Sequence, residues 1–367
     1  MKNFKTVIAI DSFKGSLSSI DAGEILNRSA REIFPNSEII VYPIADGGEG
    51  TVDALTRGLG GKIVNVEVTN PLGEKIQSRY GLVKNLAIIE MADASGLTLV
   101  PIEKRNPLNT TTFGLGELIL HAARESGARE FLIGIGGSAT NDVGIGMLSA
   151  LSHDEILFGR DLKDLNKNFD LDPILSECSF KIACDVDNPL TGANGCSEIY
   201  APQKGATPEI VREMDSWIEK FSQKFSTESV AGDGAAGGLG FAFRTFLNAK
   251  LIRGIDLVLD TIGIDKDLKD ADILVTGEGR IDFQTSMGKA PVGISTRAKN
   301  LNPKILTIGF CGSVGYGAEE VNSHGIDAFF PILRSISTLE DAIKNAEQNL
   351  YSTSIQVFKL LSISPCR

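Results

Sequence analysis

The densest group of potentially reactive side chains lies between residues 276 and 289 of the chain. Glu278, Arg280 and Asp282 alternate with glycine or isoleucine in the segment TGEGRID, and Lys289 follows after a short polar stretch. An arginine and a lysine beside two carboxylates would suit a site that handles phosphate oxygens and a metal ion together. A purely structural ion-pair network is the alternative, and it is less natural beside so much glycine.

Three further acids follow short apolar runs. Asp11, Ser12 and Lys14 place an acid, a hydroxyl and a cation in the segment DSFKGS. Asp46 opens the segment DGGEGT, and Asp185 opens the segment DVDNP. Such acids could bind magnesium or orient a substrate hydroxyl, and Lys14 could neutralise a carboxylate or phosphate. The alternatives are tight turns with exposed acids and a capped helix start with a solvated lysine.

A run of small residues, GGSATND, follows the apolar segment that ends at residue 135. Gly136 and Gly137 would let backbone amides face a ligand, and Ser138 or Thr140 could cap a following helix. Amides and a helix dipole together make an anion site, with Asn141 close by. The alternative is a capped helix start without a ligand, and the segment alone does not separate the two.

Nucleotide-binding fingerprints are weak in this chain. The Walker A motif is absent, because Ala290 stands where that motif needs a hydroxyl residue. Gly134, Gly136 and Ala139 match the spacing of a dinucleotide fingerprint, with an acidic pair at 154–155. A lone match is weak in a glycine-rich chain, so a nicotinamide-dependent dehydrogenase is kept only as an alternative.

Short apolar runs predict the elements that position these residues. Each run ends abruptly in glycine, serine or an acid, as expected of buried parallel strands whose carboxyl ends carry ligands. The predicted strands are Val7–Ile10, Ile39–Ala45, Phe131–Ile135, Lys181–Cys184, Ile273–Val275 and Ile305–Phe310. Amphipathic stretches predict helices at Ser19–Ile33, Leu115–Ala128 and Pro208–Phe225, the last capped by Thr207. The fold class is therefore α/β.

One region departs from the βα alternation. Ile63–Val68, Ile76–Val83 and Leu86–Met91 have short connections, which predict an antiparallel meander. A differently built domain therefore begins near residue 61. We predict a discontinuous Rossmann-like domain at residues 1–60 and 268–367, with a second α/β domain inserted at residues 61–267.

Composition narrows the function classes. The 367 residues suggest two domains, and the 39 glycines, about 11 % against a usual ~7 %, suggest many tight turns or ligand contacts. Only three histidines make a multi-histidine metal site improbable, and a net charge of −11 leaves no general basic surface for nucleic acid or anionic membranes. Five cysteines without a Cys-x-x-Cys pair, and no leader or membrane-length apolar stretch, predict a cytoplasmic protein. Nothing in the sequence indicates an oligomeric state.

Taken together, these segments resemble the bacterial glycerate kinase family, in order and over essentially the whole chain. The resemblance implies transfer of the γ-phosphoryl group of ATP to D-glycerate, giving a phosphoglycerate, with 2-phosphoglycerate favoured, and ADP. It also implies two α/β domains with the active site in the cleft between them. The chain departs from the family at Val143, where glycine usually follows the Asn-Asp pair. The segments that carry the resemblance are 10–16, 45–51, 136–142, 185–192, 234–240, 277–282 and 284–291.

Phosphoryl transfer needs positioning, charge neutralisation and an oriented nucleophile. Within the resemblance we expect Asp46 or Asp185 to orient or deprotonate the glycerate hydroxyl, and Glu278 or Asp282 to hold Mg²⁺. Arg280 is the first choice for a bidentate grip on the substrate carboxylate. The residues expected to contact ATP are Gly136, Gly137, Ser138, Thr140, Asn141, Glu278 and Lys289. The residues expected to contact the substrate are Asp11, Ser12, Lys14 and Arg280. Of these, Lys14 and Arg280 are also expected to be catalytic.

Three alternatives remain open at this point. A kinase of another small hydroxy acid or polyol would keep the ATP-dependent features and differ in how it holds the carboxylate. A dehydrogenase would need the fingerprint at Gly134 to bind a dinucleotide. A nucleotide-sensing module would bind ATP without releasing ADP, which the number of acids at strand ends disfavours.

Overall fold

The computed structural model describes residues 3–225 and 228–363. The chain forms two compact units: residues up to Asp46 with those from Ile255 onward make unit 1, and Gly47–Gly254 make unit 2. Unit 1 is therefore discontinuous in sequence, and unit 2 is inserted between its two parts. The domain boundaries predicted from the sequence, at residues 60 and 267, lie further along the chain than the boundaries of these units. The predicted domains, and the active-site cleft expected between them, stay predictions.

The elements follow one another in a largely alternating order. The N-terminal part of unit 1 contains β1 (Lys5–Ile10), α1 (Ser19–Ile33) and β2 (Glu38–Pro43). Unit 2 contains α2 (Thr51–Gly58), β3 (Lys62–Thr69), β4 (Lys75–Val83), β5 (Leu86–Glu90), α3 (Ala92–Ser95), α4 (Phe113–Arg124), β6 (Glu130–Gly134), α5 (Ile145–Leu151), β7 (Ser179–Ala183), α6 (Cys196–Tyr200), α7 (Pro208–Ser222), α8 (Ala235–Leu247) and β8 (Lys250–Ile252). The chain continues with α9 (Gly254–Ile262), α10 (Asp265–Leu268), β9 (Ile273–Ile281), α11 (Ala290–Leu301), β10 (Leu306–Val314), β11 (Ala328–Pro331), α12 (Leu339–Lys344) and α13 (Ala346–Ile363).

Each unit is built on one sheet. The sheet of unit 1 is parallel throughout, in the order β11-β10-β9-β1-β2. The sheet of unit 2 has the order β3-β4-β5-β6-β7-β8, with antiparallel pairing from β3 to β5 and parallel pairing from β5 to β8. The predicted α/β class and the antiparallel meander are confirmed. The parallel strands explain why the functional segments cluster at strand ends.

The predicted ends of β9 and β10 are wrong. We expected β9 to stop before Thr276 and β10 before Cys311, whereas both strands continue, with Glu278 opposite Cys311 and Arg280 opposite Ser313. Glycine makes the extension possible: a Cβ on Gly277 would lie 1.9 Å from the carbonyl oxygen of Phe310. Because β1 pairs with β9 only as far as Val275, the extension of β9 from Thr276 to Ile281, called the arm below, has a strand partner on its β10 side only.

The predicted helices match to within a few residues. α1 occupies the predicted range, while α4 and α7 end earlier than predicted. The Thr207 hydroxyl accepts a hydrogen bond from the amide of Ile210 at 3.4 Å, which confirms the predicted cap of α7. In the described part of the chain, no helix is long and apolar enough to cross a membrane.

Candidate active site

Three carboxylates approach one another at the carboxyl ends of the strands in unit 1. Asp11 follows β1, Asp46 follows β2, and Glu278 lies on the arm of β9, so neighbouring parallel strands carry them. Burial raises the pKa of Asp11 to about 7, and the charges of Asp46 and Glu278 add to that rise. Burial likewise raises the pKa of Glu278 to about 7, helped by Asp282 and Asp46. Such a group of acids favours a proton or a cation among them.

Hydrogen bonds hold two of these acids, Asp11 and Glu278, in place. The Asp11 amide donates to the carbonyl of Gly277 at 3.0 Å, and the Asp11 carboxylate accepts from the amide of Ser12 at 2.6 Å. The Thr285 hydroxyl donates to Glu278 Oε1 at 2.6 Å. These bonds fix the orientation of both carboxylates. The hydroxyl of Thr285, together with Lys289 at the start of α11, lowers the pKa of Glu278 and partly offsets the effect of burial.

Arg280 and Asp282 lie further along the arm and pair with each other. Arg280 Nε is 3.2 Å from Asp282 Oδ2, and the arginine side chain is 64 % exposed. The other oxygen of Asp282 accepts from the amide of Gln284 at 2.9 Å. Gly315 leaves room for the pair, because a Cβ there would lie 2.7 Å from the Cβ of Asp282 and 2.9 Å from Arg280 Nε. Of the two expected metal ligands, Glu278 therefore faces other acids, whereas Asp282 is engaged by its own turn.

The described residues contain no cluster of three or more His, Cys, Asp or Glu side chains in a metal-holding arrangement. A cation at the acids of unit 1 would therefore need further ligands from elsewhere. Mg²⁺ commonly binds in this way, through one or two carboxylates together with substrate phosphates and water.

Lys14 and Ser12 lie in the tight turn between β1 and α1. The turn is closed by a hydrogen bond from the Phe13 amide to the carbonyl of Leu17 at 2.8 Å. Lys14 is exposed and Ser12 is half-buried. Beside Lys14 there is a cavity of about 120 Å³, with polar walls from Lys14, Ser16 and Ser313 and apolar walls that include Phe13, Leu339 and Ile343. The turn thus presents a cation next to a small, partly apolar space.

In unit 2, the glycine-rich turn after β6 presents backbone donors. Gly136 and Gly137 are exposed, and Gly137 has a φ of +74°. The turn is anchored by bonds from Leu97 N to the carbonyl of Gly137 at 2.8 Å and from Ala139 N to the carbonyl of Ser95 at 2.9 Å. The amides of Gly136, Gly137 and Ser138 donate to no acceptor in residues 3–225 or 228–363. Successive free amides in a turn are an anion-binding arrangement.

The predicted helix cap at this turn is wrong. The next helix, α5, begins only at Ile145, after Gly144 at a φ of +76°, so neither Ser138 nor Thr140 caps it. The carboxylate of Asp142 takes that place, accepting from the amides of Gly144 at 3.2 Å and Gly146 at 3.3 Å. The turn therefore offers its amides to an anion without the help of a helix dipole. For the same reason the glycine spacing from Gly134 opens no helix, which the dinucleotide fingerprint requires.

Thr140 and Asn141 are fully buried behind the turn. Their backbone packs against Gly237, where a Cβ would lie 2.2 Å from the carbonyl oxygen of Thr140. The Asn141 side chain donates to the hydroxyl of Ser197 at 2.9 Å. The structure thus brings Gly136, Gly137 and Ser138 together as expected, but it turns the Asn141 side chain into the interior.

Sequence reasoning missed Lys204. This lysine is 2 % exposed, and its ammonium lies 2.6 Å from Ser138 Oγ and 2.5 Å from the carbonyl oxygen of Thr140. Burial lowers its pKa to about 8. Lysine is rarely buried without a charged partner, and its segment (PQKG) reads as an ordinary surface turn. No local signal in the sequence could have found it.

The other strand ends of unit 2 carry acids. Asp185 is exposed after β7, and its carboxylate accepts from the amide of Gly254 at 2.8 Å. Glu90, which the sequence reasoning also missed, ends β5 and accepts from the amide of Val52 at 2.8 Å. Burial raises the pKa of Glu90 to about 7. An acid that follows the apolar run Leu86–Ile89 was the available signal, by the same rule that selected Asp11 and Asp185.

Parallel sheets with acids, cations and an amide turn at their strand ends fit the class of α/β enzymes that transfer phosphoryl groups. The family profile described as "Glycerate kinase family" matches residues 6–362, and the chain belongs to this family. It is accordingly an ATP-dependent kinase that acts on an alcohol group of a small molecule.

Individual proteins agree with this assignment. The chain is 44 % identical to a glycerate kinase of Haemophilus influenzae, over 98 % of this chain and 99 % of that protein. It is 43 % identical to a glycerate 2-kinase of Escherichia coli K12, over 98 % of both. A crystal structure from Salmonella typhimurium LT2, assigned as a glycerate kinase 2, superposes with a TM-score of 0.88 at 43 % identity, over 98 % of both chains.

Proposed function

We propose that the chain transfers the γ-phosphoryl group of ATP to D-glycerate, giving 2-phosphoglycerate and ADP, with Mg²⁺ bound alongside ATP. The observation that carries the residue-level proposal is the group formed by Asp11, Asp46 and Glu278 at neighbouring strand ends. Burial raises the pKa of Asp11 and that of Glu278 to about 7, and the neighbouring acids add to the rise. The name of the Escherichia coli relative, a glycerate 2-kinase, supports the choice of the 2-hydroxyl.

The acids of unit 1 fit Mg²⁺ by the chemistry of their donors. Carboxylate oxygens are the ligands that this hard cation prefers, and a cation among mutually repelling acids removes the repulsion. Glu278 is the first choice as a ligand, with Asp11 in preference to Asp282, because Asp282 is engaged by Arg280 and by the amide of Gln284. When bound, Mg²⁺ would neutralise charge that develops on the phosphate oxygens.

Cationic side chains and backbone amides would balance the negative charges of glycerate and ATP. Arg280, with an exposed guanidinium on the arm, would hold the glycerate carboxylate through two parallel hydrogen bonds. Lys14 and Lys289 would balance phosphate charge. The amides of Gly136, Gly137 and Ser138 would donate hydrogen bonds to phosphate oxygens of ATP, since they have no protein acceptor among the described residues.

One carboxylate must orient the attacking hydroxyl. Asp46 lies beside Asp11 and Glu278, and Asp185 is exposed at the end of β7. Both remain candidates, and each would accept the proton of the glycerate hydroxyl as the oxygen attacks the phosphorus. We expect Asp46→Asn or Asp185→Asn to lower kcat by about 10²-fold or more, in the range of general-base removal. Wild-type rates in both variants would contradict the assignment.

The reaction itself is tested by ADP release with a panel of hydroxy acids, read together with phosphorus NMR of the product. We expect the highest kcat/KM with D-glycerate, a product resonance split by the proton on carbon 2, and loss of ADP release when EDTA removes Mg²⁺. A product phosphorylated on carbon 3 would overturn the regiochemistry alone. A higher kcat/KM with another hydroxy acid would establish the second candidate, a kinase of that acid.

We also propose a cytoplasmic location without a nucleic-acid partner. The cysteines of the described residues, Cys178, Cys184, Cys196 and Cys311, are free thiols, as expected in a reducing compartment. The net charge of −11 disfavours a polyanion as partner. Fractionation of cells that express the native gene, with an antibody to the chain, would test the location.

A further inference from the structure

Lys204 places an ammonium group in the interior of unit 2, where a charge is unfavourable. An ammonium group removed from water is strongly destabilised unless an anion or several acceptors replace its hydration. No carboxylate of the described residues forms an ion pair with it. The two titratable groups that act on it are Asp142, on the turn before α5, and Cys196, on α6. Burial raises the pKa of the Cys196 thiol to about 12, so this thiol is neutral at physiological pH.

The contacts of Lys204 explain which way the turn after β6 faces. The ammonium binds the hydroxyl of Ser138 at 2.6 Å and the carbonyl of Thr140 at 2.5 Å, so both oxygens point inward. The amides of Gly136, Gly137 and Ser138, by contrast, have no acceptor in the part of the chain described. One buried cation thus binds two acceptors of the turn, while three of its amide donors stay available.

We propose that Lys204 is a positioning residue for the phosphates of ATP: it orders the Gly136–Thr140 turn and supplies buried positive charge that an anion at the turn neutralises. The proposal rests on the proposed function only in taking ATP as that anion. Because an anion near the turn favours the charged form of Lys204, ATP binding and protonation of Lys204 stabilise each other.

This linkage has a definite sign. Lys204 without ligand has a pKa lowered to about 8, so it loses its proton as the pH rises through that value. ATP binds the protonated form better, and the ATP affinity should therefore fall as the pH rises above 8. If bound ATP raises the pKa by one unit or more, the affinity falls roughly 10-fold between pH 7 and pH 9.5.

The experiment is calorimetric titration of the full chain with ATP, without glycerate, between pH 6.5 and pH 9.5. Wild type is compared with Lys204→Arg, Lys204→Met and the control Lys250→Met, an exposed lysine of the same unit. We expect Lys204→Met to weaken ATP binding roughly 10- to 100-fold at pH 7, as for loss of hydrogen bonds from a charged group. Lys204→Arg, which stays protonated, should bind ATP with little dependence on pH, and Lys250→Met should behave as wild type.

Two results would overturn the role of Lys204. One is wild-type affinity for ATP that does not change between pH 7 and pH 9.5; this measurement needs no variant and decides the question even if both Lys204 variants fail to fold. The other is a folded Lys204→Met chain with wild-type ATP affinity and pH dependence. ADP release with D-glycerate by wild type separates the two proposals. Intact ADP release with pH-independent ATP binding removes only the role of Lys204, and pH-dependent ATP binding without ADP release removes only the glycerate kinase activity.

Discussion

The two units differ in the charged and polar groups that they place at the ends of their parallel strands. Unit 1 brings acids together, so that Asp11 and Glu278 have pKa values near 7 partly because of their neighbours. Unit 2 presents free amides at the turn after β6 and places one buried cation, Lys204, behind them. The first arrangement attracts a cation and the second an anion. Phosphoryl transfer needs both, since a nucleotide carries its metal ion with its phosphates.

The largest effect on activity is expected when one acid of unit 1 is removed. Glu278→Gln keeps the hydrogen bond from Thr285 but removes the negative charge, so a cation at the acids loses its preferred ligand. We expect kcat to fall by about 10²–10³-fold, the usual effect of deleting one preorganised electrostatic group. Steady-state ADP release at varied Mg²⁺ is the measurement.

The control for that variant is Glu319→Gln, an exposed acid of the same unit. It should retain wild-type kcat and Mg²⁺ dependence. If Glu278→Gln instead keeps a kcat within a few-fold of wild type at all Mg²⁺ concentrations, the acids of unit 1 do not hold the metal.

A second prediction concerns Glu90, a buried acid of unit 2 that stands outside the group of acids in unit 1. Burial raises the pKa of Glu90 in the folded state to about 7, from an ordinary value of 4.5. Because the unfolded chain loses this proton first, the stability that Glu90 contributes falls as the pH rises from 4.5 through 7. Glu90→Gln does not titrate and keeps an oxygen for the amide of Val52. Its free energy of unfolding relative to wild type should therefore rise by about 3 kcal/mol at most between pH 4.5 and pH 8.

Urea unfolding of both chains at pH 5 and pH 8 measures this difference. Glu125→Gln, an exposed acid of unit 2, is the matched control and should show no such trend. A Glu90→Gln chain that loses stability relative to wild type at pH 8 would mean that the carboxylate is stabilised by a partner at that pH.

A third prediction concerns the substrate side of unit 1. Arg280→Ala should raise KM for glycerate about 10- to 100-fold, because a bidentate charged hydrogen bond is lost, while KM for ATP changes little. Arg280→Lys should recover only part of the loss, since an ammonium cannot form the two parallel bonds. Arg212→Ala, an exposed arginine paired only with Glu209 among the described residues, is the control. Unchanged KM for glycerate with near-normal kcat would remove Arg280 from the site.

Much of this arrangement follows from local sequence, and the remainder depends on contacts between distant segments. Buried strands show as apolar runs and α1 as an amphipathic stretch with a Ser18 cap, so these elements were predictable. The arm of β9 was not, because its alternating glycines and charges look like a loop, and only pairing with β10 makes it a strand. Asp11 and Glu278 were predictable as strand-end acids. Their mutual proximity required the strand order.

Unit 2 shows more clearly what local sequence does not predict. Its glycine-rich turn is visible in the sequence, whereas the cation behind it comes from Lys204, 64 residues beyond Thr140. No local pattern distinguishes that lysine from the exposed ones. The misplaced helix cap has a similar origin, because Asp142 is drawn inward by the amide and hydroxyl of Thr112, at 3.0 and 2.7 Å, as well as by its own turn.

The smallest expected effect concerns Val143, where the resemblance noted in the sequence led us to expect glycine. Val143 is fully buried and has a φ of +46°, a left-handed conformation that is unfavourable for a β-branched residue. Glycine there would relieve strain of about 1–3 kcal/mol but lose about 1.5–3 kcal/mol of side-chain burial and a further ~0.5–1 kcal/mol of chain entropy. The losses of burial and chain entropy together exceed the strain that is relieved, so Val143→Gly should lower the free energy of unfolding by about 1 kcal/mol.

The matched variant Val143→Ala separates the effect of backbone strain from the effect of side-chain burial. Alanine loses most of the burial and keeps the strain, so stability should fall in the order wild type, Val143→Gly, Val143→Ala. At an ordinary buried position glycine is the less stable of the two replacements, by roughly 0.5–1 kcal/mol. Thermal unfolding of the three chains measures the order. An alanine variant more stable than the glycine variant would mean that the backbone at Val143 relaxes out of the left-handed region, and that the turn before α5 is not held in place by Asp142 and Gly237.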